Sequence, residues 1–246
     1  MILRRIADHL KQQHWTGVFI ELVIVILGVF IGMQVQDWNA ARIARTELNQ
    51  QLISLRMQLE DNRAYFKDFR AQLVGQQHDV KALRSAFKKD PPTISGKELN
   101  QRFVNVNRIY VFAPDLTALN ELTDTGGLRR IENPKIRDAI GRWQRDLDDV
   151  NRLYSDALRQ RDGVWNRFMM KNLAFGALLE QSDIVGNEVG VSKFRNDIAA
   201  LASSREVDNE LAYRYGICGA EVHALDALDR ETARLISLLV KRGQAS

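Results

Sequence analysis

Residues 15–38 read WTGVFIELVIVILGVFIGMQVQDW, and this stretch decides how the rest of the chain is interpreted. It contains an apolar run of about 19 residues, which would span roughly 28 Å as a helix and match the ~30 Å hydrocarbon core of a bilayer. Glu21 and Gln34 are the only strongly polar residues of that run. Tryptophan rings favour membrane interfaces, so Trp15 and Trp38 are predicted to be interfacial anchors. The sequence therefore predicts a transmembrane helix over residues 15–38.

Two other structures are compatible with the same apolar run. A buried core helix would need other strongly apolar segments around it, and no other segment of the chain is as apolar. A cleaved signal peptide would need a small-x-small cleavage site after the run. The small residues there, Ala40, Ala41 and Ala44, each have a larger residue two positions earlier. We therefore expect an uncleaved signal anchor.

The charges beside the span set its expected orientation. Residues 1–14 contain Arg4, Arg5 and Lys11 and form a basic, amphipathic tail. A short basic tail before a first anchor usually stays in the cytoplasm. Residues 39–246 are then expected to form an extracytoplasmic domain. For a bacterial source, the protein would lie in the inner membrane with this domain in the periplasm.

One face of the predicted span carries small residues and a carboxyl group. At 100° per residue, one stripe of about 80° contains Gly17, Glu21, Val25, Gly28, Gly32 and Val35. Glycines four residues apart allow two helix backbones to approach closely. This stripe is therefore a candidate membrane helix interface, with Glu21 hydrogen-bonding across it. The alternative is a Glu21 that reaches the headgroups, beside glycines that are common in membrane helices anyway.

The segment after the span has a strict heptad pattern, typical of a coiled coil or a packed bundle helix. It predicts one long helix that continues from the membrane and ends at Asp90, before Pro91 and Pro92. The positions of the stripe are Leu48, Leu52, Leu55, Leu59, Asn62, Phe66, Phe69, Leu73, Gln76, Val80, Leu83 and Phe87.

Two further amphipathic stripes follow. One begins at Asn133-Pro134, an N-cap followed by proline at the first helical position. The other follows a capping box from Ser203 to Glu206. The first includes Ile136, Ile140, Trp143, Leu147, Val150, Tyr154, Ala157, Val164 and Phe168, and the second Val207, Leu211, Tyr215, Cys218, Val222, Leu225, Ile236 and Leu239.

Three long amphipathic helices must bury their stripes against one another. The predicted fold is therefore all-α: a single N-terminal transmembrane helix continuing into an elongated, mostly antiparallel bundle of three long helices plus short connecting helices. Capping signals predict connecting helices after Ser95 and Pro114 and, with Ser192 as the cap, through Phe194 and Leu201. Residues 175–191 are expected to form a loop because they contain three glycines and little periodicity.

The composition excludes several other classes of protein. The 246 residues carry a formal net charge of +4, with 45% hydrophobic and 27% charged residues. This apolar content is too high for a disordered chain. One cysteine excludes a disulfide scaffold, and 15 glycines and 4 prolines exclude a fibrous protein. Basic and acidic residues are interleaved, so no nucleic-acid partner is expected.

Two parts of the sequence resemble an uncharacterised family of bacterial single-pass membrane proteins. One is GVFIELVIVILGVFIGMQVQDWN, and the other is LNELTDTGGLRRIENPKIRDAIGRWQ. The resemblance implies an N-terminal Glu-containing transmembrane helix followed by a helical extracytoplasmic domain, and it implies no chemistry. The matching positions are Glu21, Gly28, Gln34, Trp38, Asn39, Glu121, Leu122, Gly126, Leu128, Ile131 and Asn133.

The motifs of common catalytic sites are missing from the sequence. It has no HExxH, no phosphate-binding glycine loop and no G-x-S-x-G. Glu221 and His223 lack the Glu-x-x-His spacing of a di-metal bundle site. Cys218 falls on an apolar stripe, which indicates a buried thiol rather than a nucleophile. We therefore expect no enzyme activity, no cofactor, no metal site and no catalytic residue.

The richest polar cluster lies between two predicted helices. Arg129 and Arg130 follow a glycine turn and precede the helix that Asn133 caps, so they are a candidate anion or partner site. The simpler structure is a helix C-cap followed by an N-cap with surface arginines.

The chain is best interpreted as a membrane-anchored interaction or scaffold protein. Its expected partners are the lipid bilayer and a second copy or another membrane protein. The alternative is a sensory or ligand-binding bundle acting through a partner, with an unknown small-molecule ligand.

Overall fold

The computed structural model describes residues 15–183 and 185–245, so the predicted tail over residues 1–14 lies outside the described part. The chain divides into two units, residues 1–51 and 52–246. No strand occurs in the described residues. The helices are α1 Trp15–Phe87, α2 Gly96–Asn107, α3 Thr117–Asp124, α4 Gly127–Arg130, α5 Pro134–Gln160, α6 Asn166–Asn172, α7 Phe175–Leu179, α8 Gly186–Val189, α9 Ile198–Ala202 and α10 Arg205–Ala245, with a π-helical turn over Arg161–Trp165 between α5 and α6.

The part of α1 within the first unit is long and apolar enough to cross a membrane. Its large apolar side chains from Phe19 to Val35 are exposed, as is the ring of Trp38. A helix of a soluble core would bury such side chains. The observed exposure is compatible with a helix that spans a membrane.

The second unit is an all-α bundle of three long helices. The C-terminal helix α10 contacts α1 through Arg63–Asp229 and Arg84–Asp208 ion pairs, with N–O distances of 2.7 and 2.8 Å. From the first ion pair to the second, the residue number rises from 63 to 84 along α1 and falls from 229 to 208 along α10, so the two helices are antiparallel. Helix α5 is also antiparallel to α10. Near its start the Trp143 indole donates a 2.8 Å hydrogen bond to Thr232, and near its end Ala157 lines the same cavity as Arg214. The prediction of an antiparallel bundle is therefore confirmed.

The heptad stripe of α1 is buried as predicted. Every stripe position from Leu52 to Leu83 is buried, including the two polar ones, Asn62 and Gln76. The Asn62 amide donates to the Asp115 carbonyl at 2.7 Å and accepts from the Asp115 N–H at 3.0 Å. These two bonds hold the chain before α3 against α1. The helix ends at Phe87 rather than at Asp90.

Several helix caps agree with the sequence and others do not. The Ser95 and Asn133 side chains accept hydrogen bonds from the first turns of α2 and α5, as predicted. Helix α10 is capped by Ser204, whose hydroxyl accepts from Val207 N, so the predicted capping box at Ser203 is wrong. The predicted cap at Ser192 is wrong as well, because Asp197 caps α9.

The segment predicted to be a loop, residues 175–191, contains the short helices α7 and α8. The Ala177 and Leu178 side chains of α7 are buried, and the Ala177 carbonyl accepts a 3.0 Å hydrogen bond from Asn100. Tertiary contacts therefore stabilise helices whose own sequence shows little periodicity.

The π-helical turn changes which side chains face the core after α5. Val164, predicted to be buried, is 45% exposed, whereas Trp165 is fully buried. A π turn holds about one residue more than an α turn, so every following side chain is rotated by nearly one position. The inward positions therefore run Ala157, Arg161, Trp165 and Met169. Phe168, which was predicted to be buried, is buried beside Met169.

Candidate functional site

A buried polar cluster lies in the middle of the bundle, and Gln76 of α1 is its centre. The Gln76 side chain is 2% exposed. Its amide nitrogen donates to the backbone carbonyls of Asn105 and Arg108, at 3.1 and 2.7 Å. Its amide oxygen accepts from Arg214 of α10 at 3.1 Å. One side chain therefore joins α1, the end of α2 and α10.

The face of α10 opposite Gln76 carries three polar or reactive side chains. Arg214 and Glu221 are each 6% exposed, and Cys218 between them is fully buried. Steps of four and three residues place all three on one face of the helix. The prediction that Tyr215 and Val222 occupy the core positions is wrong: Tyr215 is 42% exposed and Val222 is half-buried.

A second guanidinium group reaches the cluster from the π-helical turn. Arg161 opens that turn, and its side chain is 11% exposed. Its Nε donates to the Asp162 carboxylate at 2.8 Å, and its Nη2 contacts the same oxygen. The buried Nη1 of Arg161 and the buried Nε of Arg214 have no hydrogen-bond partner among the described residues. Leaving a buried donor unpaired costs about 1–3 kcal/mol, so these atoms favour an acceptor beside them.

A cavity of about 30 Å³ lies beside these side chains. Apolar groups from Phe69, Leu73 and Ile109 form part of its wall. Its polar wall consists of Gln76, Arg108, Tyr110, Tyr154, Arg161, Arg214 and Glu221. Three arginines and one glutamate line this cavity, and two of the three guanidinium groups already have carboxylate partners, Arg161 with Asp162 and Arg108 with Asp183.

Burial changes the protonation of two groups in the cluster. It raises the pKa of Glu221 to about 7, although the nearby Arg214 guanidinium acts in the opposite direction. It also raises the pKa of the Cys218 thiol to about 11. The thiol is therefore protonated at neutral pH, when it is a poor nucleophile. Glu221 exchanges its proton near neutral pH.

The arginines singled out from the sequence lie elsewhere. Gly126, with φ of 70°, ends α3, and Arg129 and Arg130 follow within the four-residue helix α4. Arg129 is exposed, and the Arg130 guanidinium donates to the Thr125 carbonyl at 3.0 Å. This is the predicted C-cap and N-cap arrangement, and neither arginine lines the buried cavity.

The residues of the predicted membrane stripe lie on the first unit's part of α1. Gly17, Glu21, Gly28 and Gly32 all have helical backbones, and Glu21 is exposed. A Cβ atom added at Gly28 or Gly32 would meet nothing within 4 Å. The space over these glycines is therefore open to a second helix.

The sequence contained a signal for the buried cluster. Strict alternation of four and three residues from Val207 leads through Leu211 to Arg214, Cys218 and Glu221, and then to Leu225. A preference for apolar residues shifted the prediction to the neighbouring positions of the helix. Arg161 had the same signal, because the alternation of four and three residues through Tyr154 and Ala157 leads to it.

Comparison with known proteins identifies no relative of this chain. No family model matches the chain, and no curated protein or solved structure is significantly similar to it. The resemblance to a family of bacterial single-pass proteins therefore stays a prediction.

The apolar helix near the N-terminus is compatible with a single-pass membrane protein. Within residues 15–183 and 185–245, no three His, Cys, Asp or Glu side chains are grouped to hold a metal ion.

Proposed function

We propose that this chain is a membrane-anchored helical interaction or scaffold protein that self-associates through its transmembrane helix. The observation that carries the proposal is the exposure of all the large apolar side chains from Phe19 to Val35. Burying these side chains in lipid removes a large apolar surface from water. In a bacterial cell, the basic tail keeps the N-terminus in the cytoplasm and the bundle lies in the periplasm.

Self-association uses the stripe of Gly17, Glu21, Gly28 and Gly32. The open space over Gly28 and Gly32 lets a second backbone approach closely, which increases van der Waals contact between the helices. A carboxyl group within the apolar segment is costly, and a hydrogen bond across the interface offsets part of that cost. A second copy of the helix supplies such a partner at the same depth.

The test compares variants of the full-length chain in a membrane-helix association reporter. Replacing both Gly28 and Gly32 with Leu is expected to abolish association, because the larger side chains hold the backbones apart. Val23→Leu is the matched control, since Val23 lies on the opposite side of the helix by 100° per residue. Association that is unchanged in the double variant contradicts the interface. The proteins that co-purify with the full-length chain in mild detergent then identify the partner.

A further inference from the structure

We propose that the Arg214 guanidinium group exchanges partners when Glu221 ionises, and moves from the Gln76 amide oxygen to the Glu221 carboxylate. Arg214 and Glu221 belong to α10, whereas Gln76 belongs to α1. The contact between the two helices therefore depends on pH. Gln76 joins α1 to α10 while Glu221 is neutral, and Arg214 pairs within α10 once Glu221 is ionised. This inference concerns the second unit alone and does not depend on association of the membrane helix.

The structure holds Arg214 in the arrangement that suits a neutral Glu221. The Arg214 side chain is buried, and its Nη2 donates to the Gln76 amide oxygen at 3.1 Å. The buried Nε of Arg214 has no partner among the described residues. A guanidinium group has five N–H donors, so Arg214 retains donors for a second acceptor.

Glu221 is a buried carboxyl group that has no hydrogen bond to the described part of the chain. It follows Arg214 by seven residues, which places both side chains on one face of α10. Both residues line the same cavity of about 30 Å³, and the charge of Arg214 acts on the Glu221 carboxyl group. A buried carboxylate without a partner is strongly unfavourable, so Glu221 needs a cation once it loses its proton.

Arg214 is the guanidinium group that Glu221 can recruit. The other polar groups around Glu221 are Gln76 on α1, Arg108 and Tyr110 after α2, Tyr154 on α5, Arg161 at the π-helical turn and Cys218 on α10. The Arg161 guanidinium already pairs with the Asp162 carboxylate, and the Arg108 guanidinium pairs with that of Asp183. Arg214 is held by a neutral amide alone, so its partner is the one that a carboxylate can replace.

The carboxylate is the stronger of the two acceptors for Arg214. It carries a full negative charge and two oxygens that match the guanidinium geometry, whereas the amide offers one oxygen with a partial charge. The Gln76 amide oxygen keeps a second contact after the exchange, because the Cys218 thiol lies 3.6 Å from it. The Gln76 amide nitrogen still donates to the Asn105 and Arg108 carbonyls. The exchange therefore frees Arg214 from α1 while α1 stays joined to the end of α2.

The experiment follows urea unfolding of the full-length protein in detergent at about pH 5.5 and about pH 8.5, on either side of the Glu221 pKa of about 7. Four proteins are compared: the unchanged chain, Gln76→Leu, Glu221→Gln and the double variant. In the unchanged chain, the effect of Gln76→Leu on the unfolding equilibrium constant should be about tenfold smaller at the higher pH, because Arg214 no longer uses Gln76 there. In the Glu221→Gln background the effect should be the same at both pH values.

Glu210→Gln is the matched control background for this comparison. Glu210 lies one turn before Arg214 on α10, and its buried Oε2 also has no partner among the described residues. The pH dependence of the Gln76→Leu effect should persist there. An effect that is equal at both pH values in the unchanged chain overturns the proposal, and so does a pH dependence that Glu210→Gln removes and Glu221→Gln does not. If Gln76→Leu does not fold, Gln76→Asn withdraws the amide from Arg214, and the same outcomes decide.

Discussion

The side-chain oxygen of Gln76 lies 3.1 Å from Nη2 of Arg214, and this contact joins the buried polar positions of α1 and α10. The same glutamine donates to the Asn105 and Arg108 carbonyls, so its amide uses both of its ends. Polar groups buried at a heptad position cost stability unless they are paired. Gln76 is the hydrogen-bond partner both of the carbonyl groups at the end of α2 and of Arg214 on α10.

Replacing Gln76 with Leu should destabilise the bundle. The variant leaves Arg214 and two backbone carbonyls without their partner, and we expect a loss of about 2–4 kcal/mol in the free energy of unfolding. Urea unfolding of the full-length protein in detergent, followed by circular dichroism, measures the loss. The matched control is Gln72→Leu, at an exposed position one turn earlier on α1. Similar losses in the two variants would contradict the assigned role of Gln76.

The buried carboxyl group of Glu221 should make stability depend on pH. Its pKa is raised to about 7 in the folded protein from about 4.5, chiefly by burial. The folded state therefore holds the proton more tightly than the unfolded state, so stability is greatest below about pH 4.5 and falls as the pH rises to about 7. Glu221→Gln mimics the protonated group and should remove this fall.

Glu221→Gln is expected to leave the free energy of unfolding almost unchanged at pH 4.5 and to raise it by about 1–3 kcal/mol at pH 8. Urea unfolding of both proteins across this pH range measures the difference. Glu60→Gln, at an exposed position of α1, is the control and should show no such trend. A gain that is the same at both pH values would contradict the titration of Glu221.

The sequence predicted the long helices well because their periodicity is strong. In α1 the alternation of four and three residues placed even Asn62 and Gln76 correctly, since they sat between unambiguous leucines and phenylalanines. The long apolar helix near the N-terminus was predictable from hydropathy and length alone. These signals are local, so no knowledge of the tertiary structure was needed.

The candidate site was predictable only in part, because its residues break the rules that identify a core. Arg214 and Glu221 are charged residues at core positions, where a sequence rule expects apolar ones. The hydrogen bond from Arg214 to Gln76 of α1 offsets part of the cost of burying Arg214, and the sequence does not display it. Trp165 faces the core, in place of the predicted Val164, only because of the π turn that begins at Arg161. Short helices such as α7 depend on tertiary contacts and have no periodicity of their own.

The π-helical turn holds about one residue more than an α-helical turn, and deleting one residue tests this. Removing Gly163 should convert the turn into a regular α-helix while Trp165 and Met169 keep facing the core, because the deletion cancels the extra residue. Nothing lies within 4 Å of a Cβ built at Gly163, so its removal takes away no packed side-chain position. We expect the free energy of unfolding to change by less than about 2 kcal/mol.

Deletion of Ser155 is the matched control for this experiment. Ser155 is exposed in the regular part of α5, and its loss rotates the helix on one side of it by about 100° relative to the other. The core stripe of α5 would then split into two faces, and cooperative unfolding should be lost. Urea unfolding of both deletion variants, followed by circular dichroism and tryptophan fluorescence, separates the two outcomes. If deleting Gly163 disrupts folding as much as deleting Ser155, then the turn is not a simple one-residue insertion and the rotation of Trp165 into the core requires another cause.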